Sequence, residues 1–241
     1  MTIFIFLINS AALIKQTFAA EKLNINTGDA PPLHKPDQSG FIDSILHQAF
    51  SRIGHEITIN YLPAERSLQN ANAGIDDGDS DRIAGLERIY PNLMAVPESI
   101  MDWEFVAFSK QSNIQLSSWR DIKPYSIAYI TGWKIFERNT EDIRVVTPVD
   151  DVHQLFSLII NDRSDIALYE KWQGLSHLHK QKRNDVFVLS SPLAIKPKFL
   201  YLHKKHHKLI PQLAEALKIM KNDGSYQKIY GKVLEPLLIN P

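Results

Sequence analysis

The feature that most constrains this chain is the order in which two hydrophobic periods follow each other. Leu23, Ile25 and Thr27 alternate with polar residues, the period-2 pattern of a strand. A segment rich in Pro and Gly, 28–40, follows as a loop. Phe41, Ile42, Ile45, Leu46, Ala49, Phe50 and Ile53 then fall at helical spacing, and Gly54 is a stop signal. Ile57, Ile59 and Tyr61 alternate again, and residues 64–73 read as a second helix ended by Gly74. Strand, helix, strand, helix in succession predicts a mostly parallel sheet flanked by helices, an α/β fold.

The alternation resumes further along. "MDWEFVAFSK", residues 101–110, reads as a long strand. A new unit follows: "PYSIAYI" as a strand, Gly132 as a turn, 133–138 as a helical start and "IRVVTP" as a strand. Next come an amphipathic helix over 150–160 with Asp150 or Asp151 at its N-cap, the strand "DIALYE", a helix over 171–180 and the strand "VFVLS". "FLYLHK", 199–204, is one more strand, before a helix over 209–221, an Asp223-Gly224 stop and a last helix capped by Ser225. The expected architecture is two α/β lobes. Residues 20–107 and 198–241 build the first, and 108–197 are inserted as the second between two long strands that act as hinges.

Composition narrows the function. Lys+Arg and Asp+Glu are both 27, a formal charge of zero that argues against nucleic acid and anionic membrane surfaces as partners. The absence of cysteine excludes disulfides, thiolate metal sites and cysteine nucleophiles. The first twenty residues, "MTIFIFLINSAALIKQTFAA", carry an apolar run and then small residues. They read as a secretory signal over 1–19, although its one basic residue, Lys15, follows the apolar run. No later stretch has eighteen consecutive apolar residues, so a soluble, secreted product is expected.

One stretch asks for an explanation. "DDGDSDRIAG", 76–85, packs four aspartates around Arg82, in what reads as an acidic turn where the chain re-enters the sheet. Aspartates there would fix the rotamer of a single cation. An arginine presents a planar fork that bonds both oxygens of a carboxylate.

Five segments carry a resemblance: "GDAPPL", "GFIDSILHQAFSRIG", "SSWRDIKPYSIAYITGW", "NDRSDIALYE" and "FLYLHKKHHKLIPQLAEALKIMKNDGSYQKIYGK". In order and spacing the chain resembles the bacterial extracellular solute-binding proteins of the polar amino acid type, the periplasmic components of ABC importers. The resemblance implies a two-lobed periplasmic binding protein of type II-like architecture, with two hinge strands between lobes that close on a ligand. It further implies a periplasmic monomer that takes an amino acid or related carboxylate, needs no cofactor, and meets either an importer's permease or a membrane sensor.

The resemblance also suggests where a ligand would sit. The family's carboxylate-binding arginine maps to Arg82, or to Arg88 in "GLER", which lacks the threonine of the family's Thr-Pro-Glu-Arg pattern. From the second lobe, Thr131, Gly132 and Trp133 at a strand-to-helix turn would offer backbone N–H groups to an anion. The family's ammonium-binding aspartate maps to Glu170. Asp29, Ala30 and Pro31 after the first strand, with Tyr61 and Arg66, are further first-lobe candidates. Trp103 and Phe105 share one parity on the hinge strand, so both face the cleft if either does.

Other classes find less support. The nine histidines, "HKKHH" included, lack zinc-ligand spacing. No nucleophile elbow, phosphate loop or dinucleotide glycine motif occurs, so no enzyme is expected. A dehydratase on the same fold would use acids such as Asp29, Glu98 or Glu170.

Overall fold

A computed structural model describes residues 22–28, 30–189 and 191–238; the expected signal segment and Asp29 lie outside the described residues. In chain order the elements are β1 (Lys22–Thr27), α1 (Phe41–Arg52), β2 (Glu56–Tyr61), α2 (Ala64–Ala73), β3 (Gly78–Arg82), β4 (Leu93–Ala95), β5 (Met101–Ser109) and β6 (Ile127–Ile130). They continue as α3 (Lys134–Thr140), β7 (Val146–Val149), α4 (Val152–Ile160), β8 (Ile166–Glu170), α5 (Lys171–Lys180), β9 (Phe187–Val188), β10 (Ala194–His203), α6 (Ile210–Asn222) and α7 (Ser225–Val233). Single 3-10 segments span Leu86–Arg88, Lys204–Leu209 and Glu235–Leu238.

The strands run β2-β1-β3-β10-β5-β8-β6-β7, with β4 beside β10 and β9 beside β5. Each end of this array is parallel, as the strand–helix alternation requires: β1 with β2 and β3, and β6 with β7 and β8. The middle is antiparallel and joins the two halves. Residues Ala194–Lys198 of β10 pair with β5, while Phe199–His203 pair with β3 and β4. One strand therefore belongs to both sheets and changes partner between Lys198 and Phe199.

Apolar side chains fill both halves, and the largest cluster runs from the first half through Trp103 and Phe105 of β5 to Ile127, Phe136 and Leu168 in the second. In the first, Leu23, Ile25 and Ile57 of the strands meet Phe41, Ile45 and Phe50 of α1, with Leu213 and Leu217 of α6. The Phe41 ring stands edge-on to Tyr226 at 5.3 Å, which docks α7 on α1. In the second, Val106 and Phe108 of β5 meet Leu155, Phe156 and Ile159 of α4 and Leu178 of α5. Gly174 lets α5 lie on β5, because a Cβ there would come within 2.6 Å of Phe108 Cε2 and closer still to Cζ.

Several boundaries differ from the sequence expectation, each for a visible reason. The stretch expected to be an acidic turn is β3, a strand buried from Gly78 to Asp81. Apart from Asp81, the polar side chains of this stretch that are buried are paired rather than hydrated. Ser67 Oγ donates to Asp79, Ser80 Oγ donates toward the Asn26 carbonyl at 3.3 Å, and Asn26 Nδ2 bonds Asp76 at 2.8 Å. Gly78 is required by close approach: a Cβ would lie 2.5 Å from the Tyr201 carbonyl oxygen. The last hinge strand begins at Ala194, five residues before its expected start, because Ile195, Lys196 and Pro197 are exposed and show no apolar period. Ser225 does not cap α7. Gly224 does, at φ 81°, and the Ser225 N–H donates to Asp223 Oδ1 at 2.9 Å. Asp151 caps α4, accepting from Gln154 N–H at 2.9 Å. Of "HKKHH", Lys205 and His206 are tied down, at 2.8 and 2.7 Å from Asp77 Oδ1.

Candidate functional site

A cleft of about 540 Å³ opens between the two halves. It lies beyond the C-terminal ends of β1, β3 and β6, where open α/β sheets bind ligands. Gly28, Ala30, Asp81 and Arg82 line it from the first half; Ile130, Gly132, Trp133, Lys134 and Asp151 line it from the second. The crossing strands and their neighbours add Trp103, Phe105, Tyr169, Gln173 and Lys198.

Arg82 is the residue the acidic stretch was expected to hold, and it is held. Its Nε donates to Asp79 Oδ1, and Nη2 lies 3.3 Å from Asp79 Oδ2 and 3.5 Å from the Ala64 carbonyl. Asp79 is fully buried and also accepts from Ser67 Oγ, so the guanidinium is clamped to a fixed acid.

Asp81, which the sequence reading did not single out, differs from the other acids of the stretch. It is 1% exposed, and among the described residues neither carboxylate oxygen has a hydrogen-bond partner. Its backbone is left-handed, at φ 63°, an uncommon state for a residue with a Cβ. A kink in a strand breaks the alternation of side chains, so neighbouring Asp81 and Arg82 both line the cleft. Strained backbone and a buried, unsatisfied acid are each costly, and such features gather at ligand sites.

Lys198 is the second residue the sequence reading missed. It is 8% exposed, and its Nζ donates to the Asp81 carbonyl oxygen at 3.1 Å. The same ammonium sits 3.6 Å from the centroid of the Trp103 ring. Trp103 in turn stacks on Trp133, with centroids 5.8 Å apart and planes 22° apart. Phe105 stands beside both, and Tyr169 lies 5.0 Å from Trp133. The result is a wall of four aromatic rings drawn from both halves. Two more buried donors here lack partners among the described residues: Trp103 Nε1, and Gln173 Nε2. The Gln173 carbonyl end is already occupied by Tyr169 O–H at 2.8 Å.

The other expected residues are placed as follows. Trp103, Gly132 and Trp133 line the cleft; Thr131 does not. The N–H groups expected to meet an anion are all engaged. Thr131 N–H donates to Val149, Trp133 N–H to Ile130, and Gly132 N–H to Glu137 Oε1 at 2.9 Å. Glu137 in the first turn of α3 thus takes the place an anion would have had. Its carboxyl is held below the usual range by Lys134, then by Gly132 N–H. Glu170 is fully buried outside the cleft lining and caps α5, accepting from Gln173 N–H at 2.8 Å. Arg88 is exposed in the 3-10 turn outside the cleft, Arg66 is exposed on α2, and Pro31 is exposed in its loop. Tyr61 ends β2 outside the cleft, edge-on to His34, and burial pushes its phenol up. Asp151 is a cleft acid held low by its bond from Gln154 N–H.

Two arrangements bear on chemistry. Glu98, one of the acids weighed for a dehydratase, bonds Lys221 at 2.5 Å instead of facing the cleft. Ser80, His34 and Asp43 stand in the order of nucleophile, base and orienting acid, at 3.3 Å and 2.5 Å. All three are fully buried and none lines the cleft. Asp43 also accepts from the Lys35 and Gly40 N–H groups, so the trio fastens the 30–40 loop and the start of α1 to β3.

Comparison with known proteins places this geometry. No family model matches the chain. An uncharacterized protein of Shewanella oneidensis is 24% identical over 194 residues, 76% of this chain and 72% of that one. Among solved structures, the ligand-binding core of GluR0 in complex with L-glutamate superposes with TM-score 0.75 at 9% identity, over 90% of this chain and 100% of that one. A histidine kinase sensor domain with similarity to periplasmic binding proteins gives 0.69 at 13%, covering 89% and 96%. An ancestral arginine-binding protein bound to arginine gives 0.68 at 17%, covering 88% and 97%. At such identities the likeness is one of fold: the chain has the two-lobed α/β fold of the periplasmic binding proteins.

Proposed function

We propose that this protein binds a small zwitterionic solute, an amino acid or a related carboxylate, in the cleft between its halves. The observation that carries this reading is Asp81. A buried carboxylate with no partner is costly, and a ligand ammonium would satisfy it. Arg82, fixed by Asp79, and Lys198 are the cations available to the ligand's carboxylate, and the aromatic wall would cover its carbon skeleton. The lobes, 20–107 with 198–241 and 108–197, would close on the solute about β5 and β10. The fold neighbours that bind arginine or glutamate support an amino-acid ligand.

Residues 1–19 would direct the chain to the periplasm, where the closed form would be recognised by the permease of an ABC importer. The likeness to a histidine kinase sensor domain favours a second reading, a ligand-detecting partner of a membrane receptor. No helix among the described residues is long and apolar enough to cross a membrane.

A thermal-shift screen against the common amino acids and small carboxylates tests the reading. At a hundredfold excess over Kd, mass action stabilises the native state by about 2.7 kcal/mol, a rise in Tm of roughly 5–10 °C for a chain of this size. The shift is expected to vanish in Arg82→Ala and to survive in Arg88→Ala. Absence of any shift with every amino acid, or equal loss in both variants, would contradict it.

A further inference from the structure

We infer that Lys198 sets the charge class of the ligand: the cleft accepts zwitterions with neutral or acidic side chains and rejects those with basic ones. This rests on the solute-binding reading above and goes beyond it. An aromatic wall in a water-poor cleft is by itself a good seat for a cation, because the faces of the rings carry negative charge. Here the chain seats a cation of its own. Lys198 Nζ lies 3.6 Å from the Trp103 centroid and is anchored to the Asp81 carbonyl at 3.1 Å. A guanidinium or ammonium from a ligand side chain would have to displace it or lie beside it, and like charges in a desolvated site repel strongly.

The position is built into the fold. Lys198 pairs with Met101 of β5, and the next residue, Phe199, pairs with Arg82 of β3. Its backbone therefore sits where β10 passes from one half to the other. Its side chain touches a ring of β5 and a carbonyl of β3. Lys198 as a residue is 8% exposed, so a ligand anion that reaches it meets a cation whose side chain is already largely buried. The Asp81 carboxylate has no hydrogen-bond partner among the described residues. The cleft thus presents one acid for the ligand's amine, and Lys198 with Arg82 for its anionic end. The four aromatic rings cover the rest, and among the described residues Asp151 is the only other acid that lines the cleft. That carboxylate is already engaged as the cap of α4.

The test is titration calorimetry of the full chain with L-glutamate, L-glutamine, L-arginine and L-lysine. The wild type is expected to bind glutamate or glutamine at least tenfold more tightly than arginine or lysine. Lys198→Met, close in length but uncharged, is expected to reduce that ratio at least tenfold; Lys198→Arg, which keeps the charge, is expected to preserve it. A wild type that prefers arginine or lysine overturns the inference and leaves the solute-binding reading standing. So does an unchanged ratio in Lys198→Met. Should that variant not fold, the wild-type ratio and Lys198→Arg decide. Binding of none of the four overturns the amino-acid reading itself, and the inference with it.

Discussion

Asp81→Asn is expected to raise the stability of the free protein and to remove its ligand binding. Asp81 is 1% exposed, and neither carboxylate oxygen has a partner among the described residues. Its φ of 63° is tolerated by asparagine as well as by aspartate, so the substitution changes charge without adding backbone strain. Removing an unpaired buried charge should stabilise the native state by about 1–2 kcal/mol, or roughly 2–8 °C in Tm. The same change deletes the acceptor for a ligand ammonium. Losing one partner of a buried charge pair costs about 2–5 kcal/mol, so affinity should fall by roughly 30-fold to a few thousand-fold. Thermal denaturation and calorimetry of one variant check both halves. A lower Tm with intact binding would show that Asp81 is a structural residue.

Asp79→Ala has the opposite effect on stability. Asp79 is fully buried and clamps Arg82 through Nε and Nη2 while accepting from Ser67. Breaking a buried pair by removing one partner costs about 3–5 kcal/mol, since it strands the other charge. The Arg82 side chain is 16% exposed and can recover some hydration, which places the loss near the lower figure, a drop of roughly 6–12 °C. Binding should weaken too, because an unclamped guanidinium must be ordered by the ligand. Ser67→Ala, which removes one hydrogen bond and leaves the ion pair, should cost only about 1 kcal/mol. Equal losses in the two variants, measured by denaturant unfolding, would show that the ion pair is not what holds this region.

The contrast between these two aspartates shows what the sequence could and could not reveal. Wherever burial is carried by apolar side chains the pattern is legible: α1 and β1 lie where the spacing of Phe41–Phe50 and of Leu23–Ile25 puts them. The common parity of Trp103 and Phe105 was legible for the same reason, and both line the cleft. β3 was not, because its burial is offset by polar pairing of Asp79 with Ser67 and of Ser80 with His34 and Asn26, partners 12 to 54 positions away in sequence, which no local period encodes. Arg82 could be singled out by its acidic neighbours. Asp81 could not be told from Asp79, since the difference is a single left-handed φ. Lys198 lies in "KPK", one residue before the apolar run of "FLYLHK", so it reads as the loop ahead of a strand rather than its crossing point. The charge just before a long apolar strand was the one signal that could have marked it. Glu170 and the N–H groups of 131–133 were plausible by position, but Glu170 caps α5, Gly132 N–H is taken by Glu137 of α3, and Thr131 and Trp133 N–H by the carbonyls of Val149 and Ile130.

The most direct test of the account is calorimetry of the wild type with the amino acid that raises Tm most, beside two analogues, one lacking its amine and one lacking its carboxylate. A site whose buried polar groups are matched to a zwitterion rejects an analogue that leaves them unpaired, by up to about 10⁴-fold. The account predicts saturable binding of the amino acid at one site and at least hundredfold weaker binding of both analogues. Binding of the amine-free analogue as tightly as the parent would contradict it, because Asp81 would then have no ligand group to meet.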